Sequence, residues 1–215
     1  MPDLGFEVEG VSVVPYAMAP TLAFRLRVTN VPADETVHSV VLRCQIQVDV
    51  MRRRYSPEEE ERLRDLFGEP ERWSSTLRTM LWTHVNAVVP AFTGATSIDL
   101  QVPCSYDFNV AATKYFAGLE QGEIPLSLLF SGSLFYEDPD ARLQVAPISW
   151  TKEATFRLPV ATWRELMDAY YPNVAWLQLR RDVFERLYRF KMENAIPTWE
   201  QALERILPVE ESSSL

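Results

Sequence analysis

The sequence is poor in the side chains that most enzymes and metalloproteins use. Its 215 residues include two histidines, His38 and His84, and two cysteines, Cys44 and Cys104. Each lies alone in a strand-like segment, far from CxxC or HExxH spacing, so we predict structural histidines and buried free thiols. These scarcities argue against a metal site and against triad or Cys–His catalysis.

Glycine is also scarce, with seven scattered residues that form neither GxGxxG nor a GK(S/T) phosphate loop. We therefore predict no nucleotide site and no cofactor. The triplet Ser131-Gly132-Ser133 lacks the flanking glycines of a nucleophile elbow. Gly132 instead indicates a strand position at which a side chain would obstruct packing.

Positive charge is outweighed by negative charge, and long apolar runs are missing. The net charge of −9 opposes phosphate binding, so we expect no nucleic-acid partner. The N-terminus lacks a basic and apolar signal segment, and no stretch is apolar enough to span a membrane. We therefore expect a cytoplasmic protein. Its 47% hydrophobic residues suffice for a buried core.

The first half of the chain alternates between apolar and polar residues, which is typical of strands with one buried face. The clearest segments are Leu22–Val28 and Val40–Val48. The alternation changes phase at Gly10, which predicts a β-bulge. Further strands are predicted at 79–89, 96–104, 125–136 and 143–158, the last two joined by a turn at 137–140.

Helices are predicted by capping residues followed by apolar positions at helical spacing. Ser56 with Glu59 forms a capping box before a helix that Gly68 can end. A helix after Asp107 would bury one face, and three more would make the C-terminal quarter helical. The buried face comprises Phe108, Ala112, Tyr115, Phe116 and Leu119, and the later helices begin at Thr162, Asn173 and Thr198.

This order of elements predicts an α+β fold, with an antiparallel β-sheet and C-terminal helices packed on it. A single sheet and a sandwich of two sheets produce the same alternation, so both remain open. The composition does not change along the chain, which favours a single domain over residues 1–208. Residues 209–215 are expected to form a disordered tail.

The one basic cluster is Arg52-Arg53-Arg54, directly before the acidic run Glu58–Glu61. As a binding site it could hold an anion or an acidic partner. The alternative, which we favour, is internal compensation between opposite charges where a strand passes into a helix.

Aromatic residues are abundant, with six tryptophans and eight tyrosines. Trp73, Trp82, Trp150 and Trp163 could line an exposed apolar groove that binds a polypeptide. An aromatic core in which each indole N–H has a partner is the favoured alternative.

The segments FGEPERW, PCSYDFNVAATKYF, LFSGSLFYED and PTWEQAL resemble a family of actinobacterial-type proteins with no assigned activity. Its members are often encoded beside high-affinity uptake nickel–iron hydrogenases. The resemblance covers nearly the whole chain and implies an accessory role in hydrogenase assembly. It implies no catalytic residues.

Two shorter segments resemble the export chaperone SecB, which holds unfolded chains in apolar grooves. Residues 35–50 are similar to a central strand of that family, and Ala169–Asn173 to the entry into its main helix. The resemblance implies a SecB-like sheet, with residues 52–143 as a large insertion.

The leading functional hypothesis is therefore a non-enzymatic, chaperone-like accessory protein that binds another polypeptide, for example a hydrogenase subunit or its precursor. An alternative is an enzyme or small-ligand binder. Its pocket would lie where a strand meets a helix N-terminus, at Cys104, Tyr106, Asp107 and Lys114, where helix-end geometry could lower a thiol pKa. A third hypothesis is a structural subunit of a larger complex, and homo-oligomerisation is left open.

Overall fold

The computed structural model describes residues 2–104, 110–138, 140, 142–172, 177 and 179–207. Within them, nine strands are present: β1 (Asp3–Val13), β2 (Thr21–Val31), β3 (Thr36–Val48), β4 (Met80–Val89), β5 (Phe92–Thr93), β6 (Ala95–Pro103), β7 (Glu123–Glu137), β8 (Leu143–Pro147) and β9 (Glu153–Pro159). The α-helices within the described residues are α1 (Pro57–Phe67), α2 (Trp73–Thr76), α3 (Val110–Gly118), α4 (Val160–Tyr170), α5 (Arg181–Glu193) and α6 (Trp199–Ile206).

The strands form two antiparallel sheets. One contains three strands in the order β1-β2-β6. The other has the order β4-β3-β7-β8, with β5 also paired to β3 and β9 also paired to β7. The prediction of an α+β fold with antiparallel pairing is confirmed.

The two sheets pack face to face, which settles the choice between one sheet and a sandwich. Phe24 on β2 contacts Trp82 on β4 and Phe156 on β9, with ring centroids 6.2 and 5.7 Å apart. Phe6 on β1 stacks on Phe130 of β7 at 4.3 Å. Aromatic rings from both inner faces therefore fill the space between the sheets.

The alternation of the sequence matches the faces of the strands. Residues at every second position of β2 from Leu22 to Val28, and of β3 from Val40 to Val48, are almost completely buried. The predicted bulge at Gly10 is confirmed by a shift of the β1–β2 register between Val8 and Gly10. Both segments thus have one core face and one outer face.

Strand β7 is long enough to pair with two short strands placed end to end. Its first half pairs with β9 and its second half with β8. The prediction of one strand over 143–158 is wrong, because the chain leaves the ladder between Ile148 and Lys152. Pro147 ends β8, and a turn closed by the Lys152 N–H donating to Ser149 O separates the two strands.

Helix α1 begins with the predicted capping box. The Glu59 N–H donates to Ser56 Oγ and the Ser56 N–H donates to the Glu59 carboxylate, both at 3.2 Å. In α3, the predicted buried residues Ala112, Tyr115 and Phe116 are confirmed, as is Leu119 just after the helix. Phe108 lies outside the described residues.

Helix α4 packs on β1 and β9, but it begins earlier than predicted. Pro159 precedes its first residue, Val160, so Thr162 lies inside the first turn and does not cap the helix. Pro159 is the extended N-cap residue, with φ −62° and ψ 131°, and makes no side-chain cap. Tyr170 Oη donates to Ala17 O at 2.9 Å, and Arg164 Nη2 donates to Leu119 O at 2.8 Å.

Contacts between residues group the chain into two compact units, Met1–Asn173 and Val174–Leu215. In the second unit, the longest helix begins at Arg181 and not at Asn173, which lies outside the described residues, as do Trp176 and 209–215. Thr198 caps α6 as predicted, since its Oγ1 accepts the Gln201 N–H. The single domain over 1–208 stays a prediction.

Gly132 is required by the pairing of β7 with β3, and its replacement tests that pairing. Its φ is +138°, and an added Cβ would lie 2.0 Å from Val41 O, a backbone atom that cannot swing away. We expect Gly132→Ala to lower the free energy of unfolding by at least about 2 kcal/mol in urea denaturation. The cost combines backbone strain at the positive φ with the steric clash of the new Cβ against Val41 O.

Gly10→Ala is the matched control, since nothing lies within 4 Å of an added Cβ at Gly10. We expect a change within about 0.5 kcal/mol for this variant. Equal stability of the two variants would contradict the close approach of β7 to β3.

Candidate functional site

A cleft of about 710 Å³ opens where the C-terminal end of β3 leads into α1, beside the start of β7. It contains the basic cluster that the sequence singles out, together with an arginine from β9. The lining residues are Arg52, Arg53, Arg54, Tyr55, Ser56, Glu59, Glu120, Gln121, Gly122, Glu123 and Arg157. We call it the arginine cleft.

Arg53 forms the rigid floor of the arginine cleft. Its Nη1 and Nη2 donate to the two carboxylate oxygens of Glu59 at 2.8 and 2.9 Å, and both side chains are at least 92% buried. Its Nε donates to the backbone oxygen of Glu123 at 3.1 Å, and Nη2 also donates to the backbone oxygen of Gln121. Glu59 also accepts the Glu120 N–H at 2.8 Å. This pair joins α1 to the segment that enters β7, and it confirms internal compensation for Arg53.

The other arginines of the cleft have spare hydrogen-bonding capacity. Arg52 is 3.8 Å from Asp49 and Arg157 is 3.7 Å from Glu123, both too long for a hydrogen bond. Arg54 is exposed and makes no side-chain hydrogen bond or ion pair within the described residues. Three guanidinium groups therefore face solvent around one opening.

The carboxylates near the cleft mostly have partners of their own. Glu120 pairs with Arg62 at 2.7 Å, outside the cleft. Asp49, in a neighbouring cavity of about 420 Å³ that also contains Arg52 and Arg157, accepts from Ser127 Oγ at 2.6 Å. Glu123 lies 3.7 Å from Arg157 and Asp49 lies 3.8 Å from Arg52, so each of these acids offsets only part of the charge of a cleft arginine.

Tyr55 lines the cleft and is backed by the buried Tyr115. Tyr55 Oη donates to Val50 O at 2.7 Å and lies 3.0 Å from Tyr115 Oη. Because Tyr55 donates its one proton to Val50, Tyr115 donates to Tyr55. Burial raises the pKa of Tyr55 to about 12 and raises that of Tyr115 further, so both hydroxyls stay protonated at neutral pH.

A second candidate surface is apolar and lies at the edge of the six-stranded sheet. Within the described residues, β8 pairs with β7 alone, so its other side is a free edge. Leu143 and Val145 are 62% and 60% exposed on this strand. We call β8 with these two side chains the β8 edge.

The apolar surface continues from the β8 edge across the outer face of the sheet. Val145 lies opposite Phe135 of β7, which is half-buried. Further across, Val41 of β3 lies opposite Val88 of β4, and these are 49% and 66% exposed. Four strands thus present apolar side chains to solvent at the same end of the sheet.

Of the four tryptophans singled out in the sequence, three are buried. Trp73 donates its Nε1–H to Gly68 O at 2.9 Å, and Trp82 and Trp163 both contact Phe116 in the core. Trp150 is 89% exposed in the turn between β8 and β9. The structure therefore does not bring the four together in a groove, and of the four it leaves Trp150 alone exposed.

The alternative pocket receives little support from its described residues. Burial raises the pKa of the Cys104 thiol to about 12, opposite to the expected lowering, and Lys114 is paired with Asp65. Cys44 is buried with a pKa likewise raised to about 12. Both cysteines are free thiols, as predicted. Tyr106 and Asp107 lie outside the described residues.

In the described part of the chain, no group of three or more histidine, cysteine, aspartate or glutamate side chains is placed to hold a metal ion. None of the helices described there has the length and hydrophobicity of a bilayer span. His38 pairs with Glu137 at 2.9 Å near the β8 edge.

Sequence reasoning missed the β8 edge. The alternation of Leu143, Gln144 and Val145 was a usable signal for a strand. Nothing in a single sequence says which strand ends a sheet, because that depends on the order of pairing. A single sequence also does not predict which residues surround the arginine cluster, because these neighbours are distant from it in sequence. They are Glu120 to Glu123 and Arg157.

The chain belongs to a family of unknown function, DUF6084, whose sequence profile matches residues 1–214. No curated protein matches it. Among solved structures, it is similar to a late embryogenesis abundant (LEA) protein determined in solution, with 13% sequence identity and a TM-score of 0.30. The similarity covers 74% of this chain and 72% of that one, and at this TM-score it supports no conclusion.

Arg53→Met tests whether the buried pair holds the cleft together. Removing the guanidinium leaves the Glu59 carboxylate buried without its charge partner, so we expect a loss of about 3 kcal/mol in the free energy of unfolding. Arg54→Met is the control, because this exposed neighbour should change stability by less than about 0.5 kcal/mol. Similar small losses in both variants would show that the pair is not critical.

Thiol labelling tests the burial of both cysteines. With thiol pKa values raised to about 12, the reactive thiolate is a minute fraction at pH 8, and burial also blocks access. We expect Ellman's reagent to label the native protein far more slowly than the protein unfolded in guanidinium chloride. Rapid labelling of Cys104 in the native state would instead restore the alternative pocket.

Proposed function

We propose that this DUF6084 protein is a non-enzymatic accessory protein that binds another polypeptide by strand addition at the β8 edge. The observation that carries this proposal is the free side of β8 among the described residues, with Val145 exposed at its centre and further exposed apolar side chains on β3 and β4. Exposed sheet edges pair readily with extended segments, and natural proteins usually protect them.

The hydrogen-bond pattern of β8 supports strand addition at specific atoms. The Ile148 N–H donates to Gly132 O and the Asp138 N–H donates to Arg142 O, each at 3.0 Å. In antiparallel pairing, hydrogen-bonded and non-bonded pairs alternate, so the backbone groups of Leu143 and Val145 point away from β7. A partner strand would receive hydrogen bonds from these residues.

The surroundings indicate what the bound segment should look like. Opposite Leu143 and Val145 it needs apolar side chains, because those positions offer no charge. The turn before β8 is acidic, and hydrogen bonds from the backbone of Arg142, the side chain of Gln144 and the backbone of Asp140 hold the pKa of Asp138 below its ordinary value. A basic residue at the matching end of the segment would therefore complement it.

The resemblance of the sequence to proteins encoded beside nickel–iron hydrogenases makes a hydrogenase subunit, or its precursor, the first partner to test. A chaperone-like role would use the same surface to hold partly unfolded chains, which expose apolar strands of this kind. A structural subunit would use it permanently. These roles differ in which polypeptides stay bound to the protein and for how long. We place all of them in the cytoplasm.

Val145→Pro tests strand addition directly. It removes the outward N–H and leaves the hydrogen bonds to β7 intact, so the fold should survive, as proline is tolerated on edge strands. The tagged variant and wild type would be used as baits in cells that express the hydrogenase, with quantitative mass spectrometry. We expect the specific partner to fall at least about tenfold with Val145→Pro, equal to about 1.4 kcal/mol.

Val145→Ala and Met18→Lys are the controls. Val145→Ala keeps the N–H and should retain more of the partner, while Met18 is fully exposed in the β1–β2 connection, away from β8. Leu143→Pro is a second test of the same edge. If the Val145→Pro and Leu143→Pro baits recover as much of the partner as the wild-type bait, the proposal is contradicted. If the wild-type bait recovers many unrelated proteins and both proline variants lose them together, the protein is a general holdase.

A further inference from the structure

We propose that the arginine cleft is a binding site for a small polyanion, a molecule with two or more phosphate or carboxylate groups. Its volume of about 710 Å³ lies within the range of small-molecule sites. It is separate from the β8 edge, because the residues of β7 that border the two surfaces, Glu123 and Phe135, are about 40 Å apart along the strand. The proposal does not depend on polypeptide binding.

The first argument is the difference between engaged and available arginines. Arg53 directs four of its five N–H donors to Glu59 and to backbone oxygens, so it shapes the floor of the cleft and is set apart from the arginines that would bind a ligand. Arg52 and Arg157 have side chains that are 69% and 65% exposed and no acidic partner closer than 3.7 Å. Each guanidinium carries five N–H donors, so these two and Arg54 leave many donors for a ligand.

The second argument is the local charge. The chain has a net charge of −9, yet at this site the acids are already compensated. Glu59 is neutralised by Arg53 and Glu120 by Arg62. Glu123 offsets part of Arg157, and Asp49 part of Arg52, which leaves Arg54 uncompensated. An anion would complete the hydrogen bonds of all three arginines.

The source of the attraction is the arginines and not the start of α1. At this end the Glu59 N–H donates to Ser56 Oγ and the Ser56 N–H donates to the Glu59 carboxylate, so the capping box already uses these two donors. Arg54 and Arg157 approach the opening from different elements, the β3–α1 connection and β9. Planar guanidinium groups bind oxyanions in a bidentate manner, so two of them from different elements around one opening favour a ligand with two anionic groups over a ligand with one.

Titration calorimetry with pyrophosphate, citrate and inorganic phosphate tests this site. We expect pyrophosphate or citrate to bind at least about tenfold more tightly than phosphate, a difference of about 1.4 kcal/mol, and the affinity to fall as salt is raised. The two polyanions distinguish a phosphate ligand from a carboxylate ligand. No binding of either, or binding no tighter than that of phosphate, would overturn the proposal.

Variants separate the cleft from general electrostatics. Arg54→Ala and Arg157→Ala should each weaken binding of the tighter polyanion about tenfold, whereas Glu123→Gln should strengthen it by releasing Arg157. The control is Arg142→Ala, an exposed arginine 3.7 Å from Asp140 and outside the cleft. An equal loss with Arg142→Ala would refute a specific site. Val145→Pro should leave polyanion binding unchanged, so this proposal and strand addition can fail independently.

Discussion

The antiparallel pairing of β3 with β7 is the interaction on which the rest of this structure depends. Strands β4 and β5 attach to β3, and β8 and β9 attach to β7. The inner faces of both central strands supply buried side chains opposite the three-stranded sheet. The pairing also brings the two backbones so close at Gly132 that no side chain fits there.

The same pairing places two chemically different surfaces at opposite ends of one sheet. The arginine cleft forms where β3 ends and β7 begins, and the β8 edge forms where β7 ends. One surface offers guanidinium groups, and the other offers apolar side chains with unpaired backbone groups. A polyanion and an extended polypeptide would therefore not compete for the same atoms, and an accessory protein could use each independently.

The buried Arg53–Glu59 ion pair fixes the position of α1 relative to residues 120–123. Removing two charges from water is costly, and this cost is offset only when nearly all hydrogen bonds are satisfied. Here each group also bonds to backbone atoms around residues 120–123. The result is a buried floor that ties the start of α1 to the segment entering β7, beneath the exposed arginines of the cleft.

Much of the secondary structure could be predicted because local rules decide it. The period of two identified β2 and β3, and Ser56 with Glu59 identified the start of α1, since both signals act between near neighbours. The start of α4 was misplaced because Pro159 began the helix before Thr162 could cap it. The break between β8 and β9 was missed because a turn at 148–152 lies inside a continuous alternating pattern.

The sequence by itself thus determined the α+β class, the buried faces, the scarcity of catalytic side chains and the presence of a basic cluster. Only the tertiary structure decided that there are two sheets, that β8 ends one of them, and that Arg53 pairs with Glu59 while Arg54 and Arg157 line the same cleft. The physical reason is separation along the chain. Alternation and capping are fixed by adjacent residues, whereas edges and clefts arise from pairing between residues far apart in sequence.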